Sequence, residues 1–163
     1  MKLHIVLVEP EIPANTGNIS RTCSVIGAAL HLVHPLGFDI SEKQVRRAGL
    51  DYWDELELYE YETFSQVRAN YPEGKFYYCT TKGKKTYSEE DYTAEEEIFL
   101  VFGKETKGLP EELLRENIES CIRIPMKENK RSLNLSNSVA IIAYEVLRQT
   151  EFENLKCEGE LPL

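Results

Sequence analysis

The 163 residues suffice for one domain with a sizeable core, and the 42% hydrophobic and 29% charged content excludes both a disordered and a membrane-embedded chain. A formal net charge of −9 excludes a uniformly basic nucleic-acid binder, because phosphate contacts need Lys and Arg, and leaves room only for a local basic surface. No early apolar run has the length of a signal peptide or a membrane span, so the cytoplasm is the expected location and no membrane contact is expected.

In chain order, LHIVLVEP predicts a buried strand ending at Pro10. A helix is expected over residues 15–27, a short strand over 30–33 and a helical stretch over 42–48. Residues 56–61 alternate like a strand, 64–70 read as a helix, and the aromatic run KFYYCT over 75–80 reads as a strand. Residues 82–94 form a polar loop. EEEIFLVFG predicts a strand ending at Gly103, and 109–117 a helix with Pro110 in its first turn, where proline is tolerated. A strand over 121–124 and a helix over 136–149 complete the pattern. Strands alternating with helices predict an α/β fold, a mostly parallel sheet flanked by helices. One domain is expected over residues 1–150, with a tail over 151–163.

Cys23, Cys79, Cys121 and Cys157 lie far apart without a CxxC pair, which predicts free thiols rather than a disulfide framework or a zinc site. His4, His31 and His34 have no metal-ligand spacing, so no metal is expected. Acidic residues cluster at 55–62, at 89–97 and after 151; basic residues cluster at 46–47, 82–85 and 127–131.

Ligands of such sheets bind beyond the carboxyl ends of the strands, which singles out the loops at 9–18, 80–85, 103–108 and 125–137. In the first, Asn15, Thr16 and Gly17 open a helix whose free N–H groups can hold an anion, with Arg21 one turn in; simple N-capping with a solvated Arg21 is the other reading. In the third, FGKETKGLP brackets a turn with two glycines but matches no P-loop, and Glu105 is either a solvated charge or a hydrogen-bonding anchor. In the fourth, Ser132, Asn134 and the basic run of Lys127, Lys130 and Arg131 exceed what capping at Ser136, Asn137 and Ser138 requires. The helix that follows puts Val139, Ile142 and Val146 on one face, with Ile141 and Tyr144 extending the apolar surface. Burial within the monomer and burial against a second subunit both fit that pattern.

Together, NTGNISRT, FGKETKGLP and IRIPM…RSLNLSNSVAIIAYE, in this order and spacing, resemble the signature motifs of the SPOUT superfamily of RNA methyltransferases. The similarity is greatest to the small single-domain TrmL type, the tRNA (cytidine/uridine-34) 2′-O-methyltransferases. It extends through PLGFDI, RRAGLDYW and TTKG over essentially the whole chain. The resemblance implies a deep trefoil knot in the C-terminal half, an exception to the usual threading rule. It implies S-adenosyl-L-methionine as cofactor, held at Cys79, Gly103, Ile124 and Ser132, much of it through backbone groups. It also implies a homodimer with the last helix in the interface, which assigns Val139, Ile142 and Val146 to the partner contact.

The implied reaction is methyl transfer to the ribose 2′-OH of the wobble nucleotide, position 34, in a tRNA anticodon loop. The implied catalytic residues are Arg21, Asn15, Ser132 and Asn134. A guanidinium with a pKa above about 12 is a poor base, so Arg21 is expected to orient the 2′-OH and an adjacent phosphate, Asn15 to support the RNA-facing loop, and Glu105 to brace the cofactor loop. Lys127, Lys130, Arg131 and Arg46 are candidate phosphate contacts. Two other functions stay open: 2′-O-methylation at another tRNA or rRNA position, and a non-catalytic RNA-binding dimer of the same fold.

Overall fold

The computed structural model describes residues 1–48 and 53–162; residues 49–52, within the RRAGLDYW stretch, and residue 163 of the tail lie outside the described residues. The elements are β1 (Lys2–Val8), α1 (Pro13–Ile26), β2 (Ala29–Val33), α2 (Lys43–Ala48), β3 (Leu58–Tyr61), α3 (Phe64–Asn70), β4 (Lys75–Cys79), β5 (Lys85–Thr86), β6 (Glu97–Phe102), α4 (Glu111–Glu116), β7 (Cys121–Arg123) and α5 (Leu135–Gln149). Seven strands make one sheet in the order β3-β2-β1-β6-β4-β7-β5, and every pair of named strands is parallel. No helix among the described residues is long and apolar enough to cross a membrane.

β1 lies between β2 and β6, so both of its edges are paired, and helices cover both of its faces, as the apolar run of residues 5–8 requires. Leu3, Ile5 and Leu7 pack with residues of α1 and α5 on one side; Val6 and Val8 pack with residues of α3 and α4 on the other. On that second side the sheet also buries a polar chain. His4 Nδ1 lies 2.9 Å from His31 Nε2, His4 Nε2 lies 3.1 Å from Glu97, and His31 Nδ1 lies 3.1 Å from the Tyr61 hydroxyl. His4 also stacks on Phe99 with ring centroids 4.0 Å apart.

Helix α1 starts at Pro13, two residues before the expected start. Proline fits the first helical turn because its missing N–H has no partner to lose there. The helix ends at Gly27, whose φ of +73° permits the Ala28 N–H to donate to the Cys23 carbonyl at 2.9 Å. Pro110 is the N-cap of α4 rather than part of its first turn. The polar loop expected over 82–94 is structured. It contains β5, a single 3-10 turn at Tyr87–Glu89 closed by a Thr86–Glu89 capping box, and a fully buried Tyr92. The Tyr92 hydroxyl donates to the Tyr87 carbonyl, and its amide donates to Gln149 of α5 at 3.0 Å. Sparse apolar residues hid these elements, since one aromatic anchors the whole segment.

Helix α5 buries Val139, Ile142, Ala143, Val146 and Leu147, a spacing of three and four that faces one side. They belong to the chain's own core beside α1 and β1. The expected partner contact through Val139, Ile142 and Val146 is therefore corrected: a side chain with no exposed surface in the monomer cannot also be an interface. The part of α5 open to a partner carries Ile141 and Tyr144, 38% and 44% exposed. All four cysteines are free; Cys23 and Cys121 are buried, Cys79 is half-buried and Cys157 is exposed. Phe152 and Leu155, at the start of the tail, pack against the core.

Candidate functional site

The loops after β1, β6, β4 and β7 meet at the carboxyl edge of the sheet. After β1 the chain turns at Glu9, in the left-handed region at φ +55°. It then reaches the start of α1, where the backbone N–H groups of Glu11 and Ile12 need acceptors. Glu105, in the loop after β6, supplies them: its carboxylate accepts from Glu11 N at 3.1 Å and from Ile12 N at 2.6 Å. Glu11 returns the contact by accepting from the Thr106 amide at 3.0 Å and the Thr106 hydroxyl at 2.7 Å. Those bonds hold the Glu11 carboxyl below the ordinary carboxylate range, the Thr106 hydroxyl contributing most. Glu105 is thus an anchor, and it joins two loops rather than one. Glu11 was missed from sequence, although an acid between two prolines marks a stiffened acceptor.

This clasp bears on the two readings of the helix start, an anion site or simple capping. Asn15 and Thr16 direct their amides to the Ile12 carbonyl at 3.2 and 3.4 Å, and both residues are buried inside the helix. The anion at this helix terminus is the protein's own Glu105.

The two glycines of the 103–109 loop act differently. A Cβ on Gly103 would sit 2.0 Å from the Gly108 carbonyl carbon and 2.2 Å from Leu109 N, so only glycine permits this approach of backbone to backbone. Gly108 has open space around it but a φ of +68°, and its amide closes the loop on the Lys104 carbonyl at 2.8 Å.

Asn134 caps α5. Its side-chain oxygen accepts from Ser136 N at 2.9 Å, Ser136 Oγ at 2.6 Å and Asn137 N at 3.3 Å. The cap expected among residues 136–138 thus lies at Asn134, and those residues are its donors. Its amide nitrogen donates to Asn15 Oδ1 at 3.1 Å, joining residues 119 apart in sequence.

Between these loops lies a cavity of about 560 Å³, lined among others by Asn15, Cys79, Gly103, Ser132 and Asn134. A recess of about 80 Å³ adjoins it, sharing Cys79, Thr80, Phe102 and Ser132 and adding Ile122, Ile124 and Ile142. Six of the seven expected site residues therefore meet. Sequence reasoning chose the loops of Thr80 and Leu133 and named Ser138 as a cap, but assigned neither these residues nor Phe102 to the walls they share. Apolar wall residues at the ends of strands look like core until the loops are folded over them. Burial, with Cys121 close by, pushes the Cys79 thiol well above the usual range, which disfavours the thiolate. Ser132 is exposed and, among the described residues, makes no hydrogen bond, so its hydroxyl is open to a ligand. Among the described residues no group of three or more His, Cys, Asp or Glu is arranged to hold a metal.

Arg21 is the seventh. It is exposed on α1 and does not line the cavity of its own chain. With the helix starting at Pro13, it lies two turns in rather than one. Arg46 is also elsewhere, over the Trp53 ring at 5.8 Å. Lys82 and Lys85 of the 82–85 cluster are paired with Glu111 at 2.8 Å and Glu90 at 3.4 Å.

Comparison with known proteins gives the same picture. A Geobacillus stearothermophilus protein provisionally named tRNA (cytidine(34)-2′-O)-methyltransferase is 53% identical over 156 residues, covering 95% of this chain and 99% of its own. A solved structure concerned with 2-OH methylation of C/U34 on tRNA superposes with a TM-score of 0.86 at 38% identity, covering 93% of this chain and 98% of that one. An AdoMet-bound rRNA methyltransferase from Sinorhizobium meliloti superposes with a TM-score of 0.81 at 28% identity, covering 90% of this chain and 56% of that one. The model of the SpoU rRNA Methylase family matches residues 2–144, a span that contains every loop of the cleft. By sequence, by fold and by the loops that wall its cavity, the chain belongs to the SpoU rRNA methylase family.

Proposed function

We propose that this chain is a tRNA (cytidine/uridine-34) 2′-O-methyltransferase that uses S-adenosyl-L-methionine. One observation carries the reading: the three motif loops close around a single cleft, tied by the Asn134–Asn15 bond. Relatives matched along nearly their whole length are named tRNA (cytidine(34)-2′-O)-methyltransferase, the first provisionally.

The residues present fit the cofactor. The apolar recess of Phe102, Ile122, Ile124 and Ile142 suits a flat aromatic base, and the adjoining cavity offers the backbone of Cys79 and Gly103 and the hydroxyl of Ser132 to polar groups. When bound, S-adenosyl-L-methionine supplies an electrophilic methyl group on a good leaving group. In the transfer the ribose 2′-oxygen would bond to that carbon as its bond to sulfur breaks, and the 2′-OH proton would pass to an adjacent RNA phosphate. The chain's task is alignment and exclusion of water. Ser132 and Asn134 stand at the cavity edge to hold donor and acceptor, Asn15 fixes Asn134, and Glu105 fixes the loop that faces them. Arg21, a guanidinium and so a poor base, orients the 2′-OH and a neighbouring phosphate.

Arg21 is remote from its own cavity, and this favours a dimer in which each Arg21 serves the other site. Ile141 and Tyr144 on α5 and Val25 on α1, 51% exposed, offer an apolar contact on two helices that pack together. A deep knot is supported by the sheet order. β7 lies between β4 and β5, which only residues 80–84 connect, and a Cβ on Gly83 would sit 2.9 Å from the Ile122 backbone. A tRNA substrate puts the enzyme in the cytoplasm.

The test uses an anticodon stem-loop RNA and methyl-labelled cofactor. Label is expected on the ribose of nucleotide 34 and absent when that ribose is 2′-deoxy. Label at another position supports the broader 2′-O-methyltransferase reading; RNA binding with no transfer supports the non-catalytic one.

A further inference from the structure

We infer that a basic groove outside the 125–131 loop binds the phosphodiester backbone of the RNA next to the target nucleotide, a proposal that rests on the RNA methyltransferase reading. The groove has a volume of about 500 Å³. Arg123, Lys127, Lys130 and Arg131 line it against a single carboxylate, Glu128, and Thr81 and Thr86 add hydroxyl groups. On a chain of net charge −9 these four cations face one carboxylate in a single groove.

Their availability separates these four from many of the other cations. Lys2, Lys82, Lys85, Lys104, Arg115 and Arg148 are each within 4 Å of a carboxylate. Among the described residues, Arg123, Lys127, Lys130 and Arg131 have no ion pair and no side-chain hydrogen bond. An unneutralised cluster on an acidic protein repels the molecule's own counter-cations and concentrates anions.

Position then selects the anion. Thr81 and Arg131 belong to the walls of both the groove and the large cavity; Thr81, Arg123 and Met126 belong to both the groove and the apolar recess. An anion in the groove is therefore contiguous with whatever occupies the cleft. A single small anion would leave most of the groove empty. A chain of phosphates running out of the cleft engages several of the cations in turn and adds counterion release at each one. The groove thus sets the direction in which the strand leaves the reaction site, while sequence reading is left to groups inside the cleft.

The experiment measures the affinity of the full-length protein for an anticodon stem-loop RNA by fluorescence anisotropy, between about 50 and 200 mM salt. In the Lys127→Gln/Lys130→Gln variant the slope of log affinity against log salt becomes shallower by about 1.4, and affinity near 0.15 M salt falls about tenfold, as expected for two lost single-strand phosphate contacts. The matched change Lys43→Gln/Arg47→Gln, on α2, leaves the slope as it was. Lys127→Glu alone reports the same effect if the double variant proves unstable by melting. Equal slopes in the groove and α2 variants overturn the groove. If the wild type methylates nucleotide 34 while the groove variant keeps its slope, the groove fails and the proposed function stands. If the slope changes but no methyl transfer is found, the groove stands as an RNA surface and the proposed function fails.

Discussion

Asn134 carries two loads that substitution can separate. Its oxygen caps α5 by accepting from Ser136 and Asn137, and its nitrogen satisfies Asn15, which is 6% exposed. Asn134→Ala removes the cap, worth about 1 kcal/mol, and leaves a buried acceptor on Asn15 without its donor, worth about 1–3 kcal/mol. The sum, about 2–4 kcal/mol, corresponds to a fall in Tm of roughly 5–15 °C for a domain of this size. Asn134→Ser keeps an oxygen for the helix amides but is too short to reach Asn15. It costs about 1 kcal/mol less than alanine, and the remainder is the bond to Asn15. Combining Asn15→Ala with Asn134→Ala should be less damaging than the two single losses added, by about 1 kcal/mol, because the second change removes a group already orphaned. Urea unfolding gives these free energies, and calorimetry with the cofactor reports the loop, since Ser132 lies two residues before the tie. Additivity of the two alanine changes within about 0.3 kcal/mol, or equal losses for serine and alanine, would sink the assignment of two separable roles.

Gly103→Ala forces a Cβ to within 2.0 Å of backbone that no rotamer can move, so it should cost about 3 kcal/mol or more and weaken cofactor binding. Gly108→Ala meets only the left-handed penalty of about 1–2 kcal/mol; equal urea midpoints for the two would refute the distinction. Burial, reinforced by His4, lowers the His31 pKa to about 3, and burial lowers His4 as well. These folded values lie below the unfolded value near 6.5, so the stability they confer is full above about pH 6.5 and drains as pH falls through the window towards 3. His31 alone should lose about 2 kcal/mol between pH 7 and pH 5; a flat urea midpoint over that range, or an unchanged slope in His31→Gln, would show that the pair does not titrate on unfolding. Arg21→Ala should keep cofactor affinity and lose methyl transfer. Mixing it with Ser132→Ala should restore about a quarter of wild-type activity if Arg21 acts across a two-fold dimer, and none if it acts within its own chain. Tyr144→Glu should halve the mass seen by light scattering if the exposed face of α5 is the interface; an unchanged dimer would move the contact elsewhere.

Legibility from sequence followed local periodicity. α3 is where its pattern put it, and β1 is recognisable because residues 5–8 form an apolar run buried on both faces, with His4 its one buried polar residue. The 82–94 segment was opaque because its order comes from one tertiary anchor: Tyr92, packed at 5.0 Å against Tyr77 and tied to Gln149. The apolar excess of α5 was visible, but its division was not. A helix pattern says how much surface is apolar, whereas only the position of α1 and β1 decides that Val139, Ile142 and Val146 face inward and Ile141 and Tyr144 outward. The candidate residues were legible as unusual loop chemistry, and the motif resemblance grouped them. Their pairing was not: nothing local connects Glu105 with Glu11, or Asn134 with Asn15.

Those pairings follow from strand order. β1, β6, β4 and β7 are consecutive neighbours in the sheet, although they come from both ends and the middle of the chain. Parallel strands put all four carboxyl ends on one edge, so the four loops have to share one space. Two carboxylates and two asparagines then fix the loops against each other with backbone N–H groups and amides instead of with apolar packing. This leaves the apolar wall residues free to line the recess. The acids of the cleft loops are also engaged elsewhere, Glu11 and Glu105 by backbone N–H groups and Glu111 by Lys82 and Arg115, so that Glu128 is the one carboxylate lining the groove of the 123–131 cations. The same network that shapes the cleft withholds its carboxylates from the groove, and the groove keeps its charge for a phosphate chain.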